Sequence, residues 1–436
     1  MRLEEYSQVL KSDSPTIEFF TKHGKTIICR KQADTMEWQL QQAEQLLQAM
    51  IEAEDVPTIE VIYRLRDLAR LLDQFKLQEE CLVVGDCAIK LAQALGSRGL
   101  EFQKEQAETI SLIAGLGAYK PRARPLFIQA TSVCEAFAIE DGSESAKITL
   151  VKVLTHAGTR GKAYPVLCVQ WLGRAMDLIA DLPLTMVTDE LRGTIYINYG
   201  CSLGNLKGDS KALAIAERAV AFYRPLASEY GPPSYNRGLA VALHNCGTAL
   251  SKMGRHDDAL SVRQEAVYLY RTLDDDEQEQ KEGLAYALSH YGVTLSKMGR
   301  HDDALSVKQE AISLYRNLND AGQEQKKGLA DALYNYGVAL SKMRRHEDAL
   351  RVRQEALSLY RTLDFDGHEQ KKGLVDALYN YGVTLSKMGR HDDALSVRQE
   401  ALSLYRTLTV DPFNHRHSSN ASSPAYQSDS HASGYH

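Results

Sequence analysis

The sequence predicts an all-α, right-handed superhelical solenoid of antiparallel helix pairs, about eight repeats long. Three observations predict it. Gly247, Gly292, Gly337 and Gly382 recur every 45 residues, each inside a near-copy of Y/C-G-x-x-L-S-K-M-x-R-H-x-D-A-L. The apolar residues of each copy fall on two helical stripes. The same spacing of small residues continues upstream in decayed form. A fixed period of this length means one supersecondary unit stacked on itself, which offers a surface rather than a pocket.

In the copy running from Asp331 to Leu363, Leu333, Tyr336, Gly337 and Leu340 occupy one stripe of a first helix. Ala349, Val352, Ala356, Tyr360 and Leu363 occupy a stripe of a second. The segment RRH, GRH in the other three copies, separates the two, and its glycine suits a left-handed turn at the end of the first helix. The acidic pairs that follow (Asp257-Asp258, Asp302-Asp303, Glu347-Asp348, Asp392-Asp393) favour the positive end of the second helix. Gly337 opposite Ala349 lets the two helices approach closely, and Ala356 leaves room for the next unit.

This pattern resembles the tetratricopeptide repeat, with its small residues at Gly247/Ala259/Ala266, Gly292/Ala304/Ala311, Gly337/Ala349/Ala356 and Gly382/Ala394/Ala401. The stretch typified by DDDEQEQKEGL makes the unit longer than the usual repeat. It is expected to lengthen the start of the first helix, as in the similar repeats of kinesin light chains and of fungal tandem-repeat proteins. In place of the aromatic residue usual on the second helix stand Arg263, Lys308, Arg353 and Arg398. The expectation is that Val262, Val307, Val352 and Val397 fill the core and that the basic groups face solvent.

Second helices are expected around residues 81, 125, 165, 212, 259, 304, 349 and 394. Pro125 and Pro165 suit helix starts, where a missing N–H costs little. The chain divides into a helical cap region over 1–60, with an amphipathic helix at about 34–54, degenerate repeats over 61–190, and regular repeats over 191–410. A Ser- and His-rich tail, expected to be disordered, occupies 411–436.

The formal charge is −6 and the hydrophobic content 44%. This balance does not point to nucleic acid, whose binders carry a basic excess. No apolar run approaches a membrane span or a signal peptide. Seven cysteines without a C-x-x-C pair fit free thiols in the cytoplasm. His256, His301, His346 and His391 stand one per repeat, too far apart to share a metal ion. His23-Gly24-Lys25-Thr26 lacks the earlier glycine of a phosphate-binding loop, since Phe19 stands there. No catalytic constellation, metal site or cofactor motif stands out, so the expectation is a non-enzymatic protein.

What the resemblance implies is a groove along the first helices that holds an extended or helical protein segment. Its lining would comprise Asn245, Thr248, Lys252, His290, Val293, Lys297, Tyr334, Asn335, Val338, Lys342, Tyr379, Asn380, Val383 and Lys387. Asparagines both donate and accept hydrogen bonds, and the lysines favour an acidic partner. The carboxylate clamp used for chaperone C-termini is disfavoured, because His244, Ser289, Tyr334 and Tyr379 stand where it needs lysine. The alternative is a self-assembling solenoid, or the sensor part of an NTPase-linked immune-type receptor. Either would use an apolar strip of Val397, Ala401, Leu404 and Leu408 at the C-terminal end, through which homo-association would run.

Overall fold

The computed structural model describes residues 16–20, 26–30, 59–74, 77–227, 233–273, 278–318, 322–363 and 368–409. They form a β-hairpin and sixteen α-helices in two compact units, Met1–Gly254 and Arg255–His436. The unit boundary falls at the left-handed glycine of the first clear sequence copy.

The first unit begins with β1 (Thr16–Phe20) paired antiparallel to β2 (Thr26–Arg30), Phe19 opposite Ile27 and Ile17 opposite Cys29. The region expected as a helical cap over 1–60 thus contains two strands. TIEFF and TIICR are rich in β-branched and aromatic residues, which favour strands. Thr26 therefore opens a strand, where a phosphate-binding loop would open a helix. The helix expected at 34–54 and the tail 411–436 lie outside the described residues.

From Ile59 to Thr409 the elements among the described residues are helices. The first unit continues with α1 (Ile59–Gln74), α2 (Gln78–Gly96), α3 (Leu100–Ala114), α4 (Ala123–Asp141), α5 (Glu144–Arg160), α6 (Pro165–Ala180), α7 (Met186–Asn205), α8 (Asp209–Tyr223) and α9 (Pro233–Lys252). The second contains α10 (His256–Thr272), α11 (Gln278–Lys297), α12 (His301–Arg316), α13 (Gln323–Lys342), α14 (His346–Thr362), α15 (His368–Lys387) and α16 (His391–Thr409). All eight expected second helices are present, as the even-numbered ones. Within each unit consecutive helices pack in pairs and odd-numbered helices also touch one another, giving a layer of first helices backed by a layer of second helices.

The irregular step near residue 125 has a local cause. A short 3-10 segment, Gly117–Arg122, precedes α4 and is held by Asp73, whose two carboxylate oxygens accept the N–H groups of Gly117 and Ala118 at 2.9 Å. Tyr119 within this segment is fully buried and donates to the Leu82 carbonyl at 2.8 Å. The core of this unit is apolar, with Phe127 packed on Trp171. His156 sits against Phe127 and Ser111, and burial pushes its imidazole down to about 4.

The regular repeats show how the 45-residue unit closes. The extra residues form the first turns of α11, α13 and α15, as their Glu/Gln/Lys composition predicts. Each of these helices spans 20 residues. They end in a left-handed residue, Gly299 or Gly389 with φ +78°, after which Arg300 and Arg390 donate N–H to the carbonyls of Leu295 and Leu385. In the third copy the left-handed position is occupied by Arg344, φ +61°. The arginine after each turn grips the acidic residue of the following helix, for example Arg300 Nε to Asp303 at 2.8 Å. The carboxylate is thereby fixed over the positive end of the second helix.

A second glycine, absent from the sequence expectation, sets the spacing between repeats. Tyr270, Tyr315 and Tyr360 are buried with their rings against Gly283, Gly328 and Gly373 of the next first helix. A Cβ on Gly328 would lie 2.6 Å from Cε1 of Tyr315. Tyr223 lies against Gly238 in the same way within the first unit.

Two outcomes test these contacts. Arg344→Gly should raise stability by about 1 kcal/mol, because the left-handed conformation costs an L-residue that much, and a rise in thermal midpoint would register it. Gly328→Ala should lower stability by about 1–3 kcal/mol through overpacking against the Tyr315 ring, measured by urea unfolding.

Candidate protein-interaction surface

The second helices are rotated by about one residue from the expected orientation. Arg263, Lys308 and Arg353 are buried, with only 3–4% of their surface exposed, whereas Val262, Val307 and Val352 are half-buried. This corrects the expectation that the basic groups face solvent. The reason is a set of acceptors on the adjacent first helices. Arg263 Nη1 donates to the His290 carbonyl at 2.9 Å and to the Thr294 hydroxyl. Arg353 Nη1 donates to the Asn380 carbonyl at 2.7 Å and to the Thr384 hydroxyl. Lys308 Nζ donates to Ser296 Oγ at 2.7 Å and to the Asn335 carbonyl at 3.2 Å. Each cation starts on a second helix, crosses its own first helix where one precedes it within the unit, and ends on the first helix of the next repeat.

The glycine of the sequence motif makes the crossing possible. A Cβ on Gly292 would stand 2.7 Å from Lys308 Cγ, and one on Gly337 would stand 2.8 Å from Arg353 Cγ. The small residue therefore accommodates the aliphatic stem of the cation as well as the Ala304 or Ala349 backbone. The acceptors vary with the donor. The arginines meet Thr294 and Thr384, whereas lysine faces a repeat with Ala339 at the same place and turns partly to Ser296.

The outward face of the first helices carries the predicted lining. In the second unit Lys297, Lys342, Lys387 and Tyr379 are exposed, and His290, Val293, Tyr334, Asn335, Val338, Asn380 and Val383 are half-buried. The Asn380 amide donates to Tyr334 Oη at 2.8 Å and to the Asp376 carbonyl at 2.9 Å. The amide therefore ties the Tyr334 hydroxyl to α15. Tyr286, not among the predicted residues, is half-exposed and packs on the His290 ring at 4.7 Å. Burial, with Arg263 beside it, pushes His290 down to about 4, so its ring is neutral at pH 7. Asp331 and Asp376 share Tyr286's position in the later repeats. On α13 and α15 this position is thus acidic, with lysine toward the end of the helix.

Asn245, Thr248 and Lys252 lie on α9 of the first unit. Lys252 Nζ donates to the Gly204 carbonyl at 2.9 Å and lies 3.6 Å from Asp209. It caps the end of α7 rather than standing clear of the surface. Thr248 Oγ1 donates to the His244 carbonyl one turn back.

The expected end strip is displaced by the same rotation. Ala401 and Leu408 are buried and Val397 and Leu404 half-buried, packed in the core shared with α15. The large apolar residues of α16 that stand exposed are Leu395 (58%), Leu402 (49%) and Tyr405 (54%), beside Arg398. Arg398 lies over the Tyr379 ring at 5.9 Å.

Stacked helix pairs with a fixed glycine–alanine crossing define an α-solenoid repeat protein. Residues 238–317, 283–362 and 328–407 each match the tetratricopeptide repeat, so the regular part of this chain is built of tetratricopeptide repeats. No curated protein matches the chain. Among solved structures it is similar to the apo form of RapI, at 11% identity over 68% of this chain and 96% of that one, TM-score 0.49. BtubC from P. vanneervenii matches at 15% identity over 64% and 98%, TM-score 0.40. A putative kinesin light chain from Podospora anserina, with nearly identical repeats of this type, matches at 12% identity over 51% and 95%, TM-score 0.38.

The buried lysine yields a pH test. Burial pushes Lys308 down from 10.5 to about 8 in the folded chain. Between those values the unfolded chain holds a proton that the folded one has released, so stability rises with pH across the window. Lys308→Met should match or exceed the parent at pH 7, by up to roughly 3 kcal/mol. That advantage should shrink as pH rises from about 8 to 10.5. Denaturation midpoints of both proteins along a pH series measure it.

Proposed function

We propose that this protein is a non-enzymatic scaffold whose first-helix face binds an extended or helical segment of a partner protein. The observation that carries the reading is the repeated surface of the second unit. Tyr334 and Tyr379, the Asn335 and Asn380 amides, and Lys342 and Lys387 recur at the same points of α13 and α15. Tyrosine gives contact area at low entropic cost. The valines between them supply apolar floor, and lysine at one end favours a partner with acidic groups there. Asn380 acts partly by positioning Tyr334, so the ring is held before a ligand arrives.

Tetratricopeptide-repeat proteins in general act as protein-interaction scaffolds, and no catalytic family matches this chain. A cytoplasmic setting goes with this reading, because Cys81, Cys134, Cys168 and Cys246 are free thiols buried in the core.

Affinity capture with mass spectrometry identifies the partner, and the face is then tested by substitution. Tyr379→Ala together with Asn380→Ala should weaken binding of the captured partner at least tenfold, while the circular dichroism spectrum stays unchanged. Unchanged affinity would refute the assignment of this face.

A further inference from the structure

The second unit joins each second helix to the next first helix by the same device, so its joints can be compared part by part. At α10–α11 the Arg263 guanidinium donates to the His290 carbonyl at 2.9 Å and to the Thr294 hydroxyl. At α14–α15 Arg353 donates to the Asn380 carbonyl at 2.7 Å and to the Thr384 hydroxyl. Each arginine thus places two hydrogen bonds on the helix that follows. At α12–α13 the cation is Lys308, which places one there, to the Asn335 carbonyl at 3.2 Å. Its other bond, at 2.7 Å, returns to Ser296 of its own pair. Ala339 stands where the other two joints have threonine, so α13 offers no hydroxyl at that point.

The two halves of α13 are held differently. Near its start the Gln325 amide donates to Glu282 of α11 at 2.8 Å, and Gly328 receives the Tyr315 ring of α12. Further along, the polar tie to α12 is the single Lys308 bond. Lysine suits a joint that opens. Its ammonium is a point charge on a flexible stem and is more strongly hydrated than a guanidinium, so it regains more from water when the joint parts. Burial, with Lys342 near it, already pushes this ammonium down to about 8.

We propose that the α12–α13 joint is the hinge of the second unit, where α13 parts from α12 at the Lys308 end while Gln325 and Gly328 hold the start of α13. The joints made by arginine and threonine stay closed. Local opening of this kind is drawn from the least stable part of a structure. Asn335, which receives Lys308, belongs to the first-helix face, so the opening changes how the α11 and α13 parts of that face are set against each other. The hinge is a property of the framework and does not rest on what the face binds.

Ala332 and Ala377 occupy equivalent positions of α13 and α15, and each is 2% exposed. Ala332→Cys and Ala377→Cys, made separately in the full-length protein, report opening through their alkylation rates, followed by peptide mass spectrometry at low reagent concentration. Lys308→Arg with Ala339→Thr should slow labelling of Ala332→Cys about fivefold, the worth of one hydrogen bond, and leave Ala377→Cys unchanged. The reciprocal exchange, Arg353→Lys with Thr384→Ala, should speed labelling of Ala377→Cys about fivefold and leave Ala332→Cys unchanged. It carries the test alone if the first exchange does not fold. Equal changes at both cysteines would mean a change in overall stability and overturn the proposal, as would no change at either.

Discussion

The regular repeats depend on one long cationic side chain laid under a glycine. Arg353 starts on α14, passes Gly337 of α13 and ends on the Asn380 carbonyl of α15. It ties three helices of two repeats with one residue. Lys308 does the same between α13 and its own pair. Burying such a charge costs several kcal/mol before any acceptor is counted, and Arg353 Nε has no hydrogen-bond partner among the described residues. The arrangement is therefore a poor source of stability and a condition on register. Sliding the next helix by one turn would offer the guanidinium another backbone carbonyl but would remove the threonine hydroxyl.

Around this tie the remaining contacts divide the work. The Tyr–Gly pairs supply buried area and set how near the next first helix comes. On the outside, Arg271, Arg316 and Arg361 grip Glu310, Glu355 and Glu400 with both carboxylate oxygens, joining successive second helices. These pairs are half-exposed and each contributes at most about 1 kcal/mol. Their regular spacing nonetheless follows from the same 45-residue step. The outward face of the first helices is what this framework leaves over, and the framework holds its tyrosines and asparagines at a common pitch.

Much of this architecture was legible before any coordinates. Spacing of Gly and Ala located the second helices of the regular repeats, because close approach demands small residues where helices cross, and Pro125 and Pro165 marked two of the earlier ones. The left-handed turn followed from GRH, and Arg344 shows that position alone, without glycine, still dictates the conformation. Three features lie outside the repeat period. The strands at 16–20 and 26–30 rest on their own β-branched and aromatic residues, among them Ile17, Phe19, Ile27 and Ile28. The ring-bearing glycines sit in a polar stretch, where nothing local marks the tyrosine they meet. The orientation of the second helix differs by one residue from the one hydropathy favours, which moves both the basic groups and the exposed strip of α16.

What the sequence by itself determined is the period, the number of helix pairs and the places where two helices can touch, because these follow from residue size and helical periodicity. What only the tertiary structure decided is which of two adjacent residues, Val352 or Arg353, turns inward. Hydropathy favours the valine at every repeat. The arginine is nevertheless buried, because a carbonyl and a hydroxyl from a helix 27 to 31 residues further along the chain receive it. No local pattern contains that partner, and Arg398, for which none stands opposite among the described residues, lies at the surface.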